Sequence, residues 1–371
     1  MKILFISNYY DNTGWAHAAQ SYILAMDAVG INVIPRAIKL NNIQGEVPAR
    51  ILELEKRSDK NCDIVIQNVL PHMMTYSGKF EKNIGLCYIE TESFRASSWP
   101  QYLNAMDEVW VPSRYNAEAC DNSFVNKPVH IVPVAVDKQK FLQGYQPLDI
   151  PAAKNNFTFY FIGEHTTRKN LVDVLRAFHL EFRQSEPVHL VIKTSMPGVQ
   201  QYEAQSAIQQ LIQQTKQSLK LYKSVDQYKK ETLILDHFSQ QEMCQLHATC
   251  DCLVAPSLGE SWSIPCQEAM LFGNTPIYTN GLGMDDYCVG GEYIESVSEP
   301  AIGALDTFSD LCTGYDKWRR PELEVLQERM RTIYENKERR DTLCKAGLEQ
   351  LDKHSYGFVG NIIKDILNGN I

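Results

Sequence analysis

Short runs of β-branched and apolar residues alternate with helical segments through the first 136 residues, and the alternation restarts at residue 157. The helical segments between the runs are long enough to cross over a sheet. This alternation is typical of parallel sheets that carry helices on both faces. The sequence therefore predicts an α/β protein with two doubly wound, Rossmann-like domains.

The predicted strands are 2–7, 32–38, 62–67, 84–90, 108–113, 130–136, 157–163, 188–195, 232–237, 252–257 and 275–279. The predicted helices are 17–30, 169–182, about 200–223 and about 264–272, with most of 322–368 also helical. Between the two series, residues 143–156 contain prolines, a glycine and asparagines that are typical of a linker. We therefore expect domains at 1–150 and 151–371.

Length, net charge and cysteine content indicate which class of protein this is. A chain of 371 residues suggests two domains, and its net charge of −9 argues against a nucleic-acid surface. No apolar run approaches the roughly 20 residues that span a bilayer. Ten cysteines without a framework spacing indicate reduced thiols and a cytoplasmic location.

Two neighbouring cations follow the first strand of the second half. The strand ends at Gly163, and Arg168 and Lys169 stand at the start of the next helix. Free N–H groups at a helix start and two cations together make an anion site. The alternative is a solvated pair at a helix cap. Because ligands of doubly wound sheets bind at the carboxyl ends of the strands, such a site would face the cleft between the domains.

The stretch LGESWSIPCQEAM, residues 258–270, places one carboxylate in a loop and another about one turn into a helix. Ser261 or Ser263 is expected to cap that helix, and its unpaired N–H groups suit an anion. Glu260 and Glu268 would then serve a ligand with hydroxyls at one end, phosphate in the middle and ribose at the other. A nucleotide sugar has this order.

Gly14, after the first strand, permits close approach of a ligand or forms a plain turn. No G-x-G-x-x-G is present, so the dinucleotide fingerprint is absent.

On these motifs the chain resembles the retaining glycosyltransferases of the GT-B fold, family four type. The pair Glu260 and Glu268, with seven residues between, matches the motif of that family. FIGEHTTRKN and EAMLFGNTPIYTNGLG are similar to its flanking segments, and VWVPSRYNAEAC and HIVPVAVD to its first-domain strands. The likeness is strongest over 157–290.

The resemblance implies a role for each site residue. Glu260, Lys169 and Arg168 would be catalytic, with Glu260 on the transferred sugar and the cations on the diphosphate. Glu268 would hold the ribose, and the remaining donor-binding positions would be Gly14, Gly163, Ser261, Ser263 and Ile264. The final helix, about 356–368, would cross back to the first domain.

Two departures from the family are visible. Glu164 stands where many members have an arginine. Arg168 and Lys169 would then have to neutralise the diphosphate without that arginine, or donor binding would be weaker. The family's first-domain histidine has no clear match, and Glu92 is expected to take its catalytic place. His72, His17 and His165 are further candidates.

The resemblance implies transfer of a hexose from a nucleoside diphosphate sugar, with retention and without a cofactor or metal, to a saccharide, lipid or protein acceptor. The alternatives are a nucleotide-sugar epimerase of the same fold and a non-catalytic partner subunit. The basic stretch KWRRPE, 317–322, is expected to begin a solvated helix, or to touch an anionic acceptor or a membrane surface.

A Cys/His cluster, CQLHATCDC at 244–252, could bind zinc, but its members are expected to pack in the core.

Overall fold

Two six-stranded parallel sheets form the protein in a computed structural model that describes residues 1–40, 44–303 and 311–370. The predicted fold class is confirmed. The first sheet contains β1 Lys2–Ser7, β2 Asn32–Ala37, β3 Ile64–Asn68, β4 Lys82–Leu86, β5 Glu108–Val111 and β6 Val129–Ile131. The second contains β7 Phe157–Glu164, β8 Val188–Ser195, β9 Thr232–Ile234, β10 Cys252–Ala255, β11 Ile277–Thr279 and β12 Glu292–Ile294.

Helices connect the strands and cover the sheets. Those before residue 150 are α1 Gly14–Ala28, α2 Ala49–Glu55, α3 Trp99–Leu103, α4 Arg114–Asn122 and α5 Lys138–Phe141. Those of the second half are α6 Leu171–Glu181, α7 Gln201–Leu219, α8 Gln240–Thr249, α9 Ile264–Leu271, α10 Leu323–Glu335, α11 Lys337–Leu351 and α12 Tyr356–Leu367.

The strand order fixes where ligands can bind. The first sheet runs β2-β1-β3-β4-β5-β6 and the second β12-β11-β10-β7-β8-β9, so the order reverses beside β1 and beside β7. At such a reversal the loops leave neighbouring strands in opposite directions and open a crevice at the carboxyl ends. In the second sheet this crevice lies between the loops that follow β7 and β10.

Several predicted strands are shorter in the structure. Residues 87–90, predicted as the end of a strand, leave the sheet after Leu86 and run toward the second domain. There the Ile89 carbonyl accepts a hydrogen bond of 2.6 Å from the Ser261 hydroxyl. Residues 83–89 are all buried, and this mostly apolar run continues past the last ladder pair, which is why the sequence pattern overestimates the strand.

The basic stretch 317–322 is a strand rather than the predicted helix start. Lys317–Pro321 forms β14, which pairs antiparallel with β13, Ser296–Pro300. Trp318 is buried from this strand against Leu258 and Ala301. Within β14 the buried residues are Trp318 and Pro321, three positions apart, a spacing that does not distinguish this short strand from a helix.

The last helix, α12, packs against α1 of the first domain, and close contact between them depends on Gly360. A Cβ atom at Gly360 would lie 2.2 Å from the Ala25 carbonyl oxygen. Val136 also donates its backbone N–H to the His354 carbonyl just before α12. Both contacts tie the end of the chain to the first domain.

An arginine of α10 fixes the far end of α6, the helix that follows the two site cations. Arg331 donates to Glu181 and Glu186 carboxylates at 2.7 and 2.5 Å, and its guanidinium lies 4.6 Å from the Phe182 ring centre. The hydrogen bonds from Arg331 hold the pKa of Glu186 below its usual range. A depressed carboxyl pKa stabilises the fold above the unfolded value of about 4.3, and the stabilisation is lost as pH falls through the folded pKa.

We expect Arg331→Met to lower the free energy of unfolding by about 1–3 kcal/mol at pH 7, because its charged hydrogen bonds to Glu181 and Glu186 are removed. The difference from wild type should shrink below about pH 4, where Glu186 takes up a proton. Urea unfolding at both pH values checks this, with exposed Arg183→Met as the control. A difference that does not change with pH would exclude the carboxylate pairs as its source.

Candidate active site

Lys169, Arg168 and Glu260 meet at the carboxyl ends of β7 and β10, at the crevice in the second sheet. Lys169 Nζ forms an ion pair with Glu260 Oε2, and Arg168 Nη1 lies 3.5 Å from the same oxygen. Arg168 also donates to the Gly259 carbonyl at 2.7 Å, while its own carbonyl accepts from Leu258 N–H. The loop after β7 and the loop after β10 are therefore held together by these cations.

The ionisation of Glu260 is set by these neighbours. Burial alone would raise the pKa of its carboxyl, but the nearby charges of Lys169 and Arg168 lower it below the usual range. Glu260 is therefore a buried carboxylate that keeps its charge. Such a group accepts hydrogen bonds, as from sugar hydroxyls, and is not set up to donate a proton.

The first domain contributes Glu90 to this cluster, a residue that the sequence did not single out. Its Oε1 lies 2.8 Å from Arg168 Nη2. Burial raises the pKa of Glu90, and the Arg168 charge only partly opposes this. Glu90 stands beside Glu92 in the triplet Glu90-Thr91-Glu92, so its position was visible in the sequence, but the direction of its side chain was not.

Glu92 contacts the β13–β14 hairpin instead of the cations. It accepts from Ser298 Oγ at 2.6 Å and pairs with Arg319 Nε at 3.1 Å. Its backbone N–H donates to the Lys317 carbonyl. Its catalytic role stays a prediction, while Glu90 is the carboxylate of this segment that reaches Arg168.

Glu268 lies in α9, buried behind the helix start. Gln240 donates to its Oε1 at 3.2 Å, and His247 Nε2 lies 3.5 Å from its Oε2. Burial would raise the pKa of Glu268, but His247, His17 and Gln240 lower it. His17 belongs to α1 of the first domain, so this carboxylate faces groups from both domains.

The start of α9 differs from the predicted cap. Ser263 is the N-cap residue with φ 69°, in the left-handed region, and its side chain makes no capping hydrogen bond. The Ser261 hydroxyl does not cap the helix either, because it donates to the Ile89 carbonyl. The backbone N–H groups of Ser263 and Ile264 at this helix start are therefore not capped by either serine.

The two domains touch directly beside the cluster. The Ser113 hydroxyl donates to the Ser261 carbonyl at 2.9 Å, and Arg114 pairs with Asp286 at 2.7 Å. A Cβ atom at Gly259 would lie 1.9 Å from the Glu90 carbonyl oxygen. Only a glycine allows the backbones of the two domains to approach this closely.

Comparison with known proteins agrees with this geometry. Residues 148–305 match the family model described as glycosyl transferases group 1. The chain has the GT-B fold, and the segment that matches this family model lies mostly in its second half. No curated protein matches the sequence.

Solved GT-B structures cover the whole chain. Anabaena HepE, in complex with UDP and glucose, has 14% identity and a TM-score of 0.66, with 100% of both chains covered. Sucrose-phosphate synthase from Thermosynechococcus elongatus has 14% identity and a TM-score of 0.67, covering 100% of this chain and 99% of that one. A Burkholderia xenovorans trehalose-phosphate synthase, in complex with glucose-6-phosphate, has 9% identity and a TM-score of 0.69 over 100% of both chains.

The glycines of this GT-B site have different surroundings. Gly14 is the exposed first residue of α1, and an added Cβ would meet nothing within 4 Å. Gly163 packs against the Lys169 stem, where a Cβ would lie 3.3 Å from its Cγ. The glycine at 163 therefore positions a site cation, whereas nothing in the structure restricts residue 14 to glycine.

The remaining residues that the sequence singled out are Glu164 and three histidines. Glu164 is exposed at the end of β7, so solvent screens its charge more than that of buried Glu260. Burial lowers the pKa of His17, and the nearby Glu268 opposes this shift. Burial also lowers the pKa of His165. His72 lies in a turn after β3.

The Cys/His cluster of the sequence packs inside the second domain. Cys244, Cys250 and Cys252 are buried with His247, whose Nδ1 contacts the Tyr160 hydroxyl. Within the described residues, no group of three or more histidine, cysteine, aspartate or glutamate side chains could hold a metal ion. Nor does any helix in that part of the chain combine the length and apolar character that crossing a bilayer requires.

Proposed function

We propose that this protein is a retaining glycosyltransferase that moves a hexose from a nucleoside diphosphate sugar to an acceptor. The observation that carries the proposal is the convergence of Lys169 and Arg168 on Glu260, at the carboxyl ends of two strands that flank a reversal in strand order. A diphosphate leaving group needs positive charge, and the transferred sugar needs acceptors for its hydroxyls. This cluster supplies both.

Lys169 is the stronger candidate for the diphosphate. An ammonium group carries three N–H donors, and Lys169 gives one to Glu260 in this structure. Arg168 has Nη1 and Nη2 already engaged by Gly259 and Glu90. In the proposed reaction Lys169 stabilises the charge that develops on the departing diphosphate, without a metal ion.

Retention follows from the same proposal. The acceptor would attack from the face that the diphosphate leaves, so that no protein side chain acts as nucleophile. Lys169 and Arg168 already hold Glu260, and its depressed pKa supports a role as hydrogen-bond acceptor for the sugar rather than as an acid. Closure of the two domains around the donor would exclude water and limit its hydrolysis.

The structural neighbours suggest the first donor and acceptors to test. UDP and glucose are bound to HepE, and another neighbour binds UDP-2-fluoro glucose. We therefore propose UDP-glucose as the first donor, with GDP- and ADP-glucose beside it. Glucose and glucose-6-phosphate are the first acceptors, because neighbours bind them.

The decisive experiment measures release of nucleoside diphosphate from each donor, with and without acceptor. Release that requires an acceptor, with an α-linked product from an α-linked donor, supports the proposal. Conversion of the donor sugar without an acceptor would instead support the epimerase. Binding of a nucleotide sugar without turnover with saccharide, lipid-linked or peptide acceptors would support the non-catalytic subunit.

One observation favours the non-catalytic alternative. The carboxylates Glu90, Glu164 and Glu260 outnumber the cations Arg168 and Lys169 near which they lie, and this balance disfavours a diphosphate. Two facts weaken this argument for a non-catalytic protein. Glu164 is exposed, and the raised pKa of Glu90 makes that carboxylate easier to neutralise when a diphosphate binds.

We expect Glu268→Ala to weaken binding of the nucleoside diphosphate about tenfold, the cost of one or two charged hydrogen bonds to the ribose. Calorimetry or thermal shift measures the affinity, and exposed Glu349→Ala is the matched control. Equal affinity in Glu268→Ala and wild type would show that this carboxylate does not bind the ribose.

We also propose a cytoplasmic location, supported by ten free cysteines, eight of them buried as small apolar side chains.

A further inference from the structure

Glu268 is reached by a chain of buried polar side chains that runs through the second domain. Asn274 Nδ2 donates to the Tyr160 hydroxyl at 3.0 Å and to the His247 carbonyl at 2.8 Å. The Tyr160 hydroxyl lies 2.6 Å from His247 Nδ1. On the other side of the imidazole, Nε2 lies 3.5 Å from Glu268 Oε2.

The hydrogen-bond inventory of this chain fixes the direction of each bond. Both donors of the Asn274 amide are used, so the Tyr160 oxygen is the acceptor from Asn274. Its single proton then points to His247 Nδ1, which accepts it. A neutral imidazole that accepts at Nδ1 carries its proton on Nε2, the nitrogen that faces Glu268.

The imidazole ring is held in this orientation by its neighbours. The Phe272 ring stacks on it with centroids 5.4 Å apart and planes 15° apart, and the Tyr160 ring meets it edge-on at 81°. His247 Nε2 is buried and makes no hydrogen bond within the described residues, and the carboxylate oxygen Glu268 Oε2 lies 3.5 Å from it. The Glu268 carboxylate is therefore the near acceptor for this N–H, without a formed hydrogen bond between them in this structure.

We propose that His247, oriented by Tyr160 and Asn274, is a positioning residue that presents the Glu268 carboxylate to the ribose hydroxyls of the donor. The proposal rests on the proposed function, because it assigns the ribose to Glu268. Gln240 donates to Oε1 at 3.2 Å and His247 Nε2 lies 3.5 Å from Oε2, so neighbours on two sides limit the orientation of the carboxylate. A carboxylate limited in this way can accept from a diol with less loss of rotational freedom on binding.

The test compares two substitutions that mimic different nitrogens of the imidazole. His247→Gln keeps an amide donor near the Nε2 position, facing Glu268. His247→Asn keeps a polar group near the Nδ1 position, facing Tyr160, and removes the donor to the carboxylate. We expect His247→Asn to weaken the nucleoside diphosphate about tenfold and His247→Gln less than about threefold. The rate at saturating donor should change little in either.

The discriminating readout is the preference for ribose over deoxyribose. Wild type should bind UDP more tightly than 2′-deoxy-UDP, and His247→Asn should lose most of that difference. His189→Asn is the control, since it removes a buried histidine of the same domain that contacts Thr232. If His247→Asn does not fold, Tyr160→Phe replaces it, because it removes only the hydroxyl that orients the imidazole.

Each outcome separates the two proposals. If UDP binds and His247→Asn prefers UDP over 2′-deoxy-UDP as strongly as wild type does, the positioning role is wrong. The donor site would still stand. GDP and ADP with their 2′-deoxy forms replace the UDP pair if they alone bind. If wild type binds none of these nucleotides, the proposed function and the positioning role both fall.

Discussion

Replacing Lys169 by glutamine is expected to slow sugar transfer by about 10²–10³-fold, the effect of removing one preorganised electrostatic group from a transition state. Lys169 is half-buried and forms an ion pair with Glu260, so its charge acts in a site partly screened from water. Glutamine keeps the length of the stem and an N–H donor but removes the positive charge. The loss should fall mainly on kcat, because the charge on the diphosphate develops during bond cleavage.

Steady-state release of nucleoside diphosphate measures this effect, and Lys364→Gln, an exposed lysine of α12, is the control. Thermal unfolding must accompany the rates, because Lys169→Gln leaves the buried Glu260 with Arg168 as its remaining cation. A variant with normal stability and a wild-type kcat would exclude Lys169 from leaving-group stabilisation.

Replacing Gly259 by alanine is expected to lower kcat/KM about 100-fold or more. The added methyl would lie 1.9 Å from the Glu90 carbonyl oxygen, and a backbone atom cannot rotate away as a side chain can. The domains would have to separate by more than about 1 Å at the site, and misplacement on this scale costs about 10²-fold in rate. The cluster of Arg168, Glu90 and Glu260 would be opened at the same time.

The matched control is Gly357→Ala, because Gly357 is exposed in α12 and an added Cβ meets nothing within 4 Å. Small-angle scattering should show a larger radius of gyration for Gly259→Ala and no change for Gly357→Ala. Wild-type activity in Gly259→Ala would show that contact between Gly259 and Glu90 is not needed for transfer.

The sequence was sufficient for the features whose cause is local. Repeated alternation of strands and helices specifies two parallel sheets, since each buried strand must be covered on both faces. The spacing of Glu260 and Glu268 and the adjacent pair Arg168 and Lys169 lie within single loop-to-helix segments. Their joint position at the crevice follows because the loops after β7 and β10 leave neighbouring strands at one edge of the sheet.

The choice between Glu90 and Glu92 was decided only by the tertiary structure. The two carboxylates are two residues apart, and the sequence favoured Glu92 by analogy with a histidine of the family. The chain leaves β4 at Leu86, and the path it then takes turns Glu90 toward Arg168 and Glu92 toward Arg319. No local pattern encodes that path, because contacts with the second domain determine it.

The same limit applies to the groups around Glu268. His247 and Gln240 come from α8, His17 from α1 and Tyr160 from β7, three elements that are far apart in the chain. The sequence showed His247 only as part of a cysteine-rich cluster. It did not show that the imidazole lies beside Glu268. The sequence by itself determined which elements form and which loops meet at the crevice. Packing of elements distant in sequence decided which side chains face one another, since side-chain direction depends on the positions of all elements together.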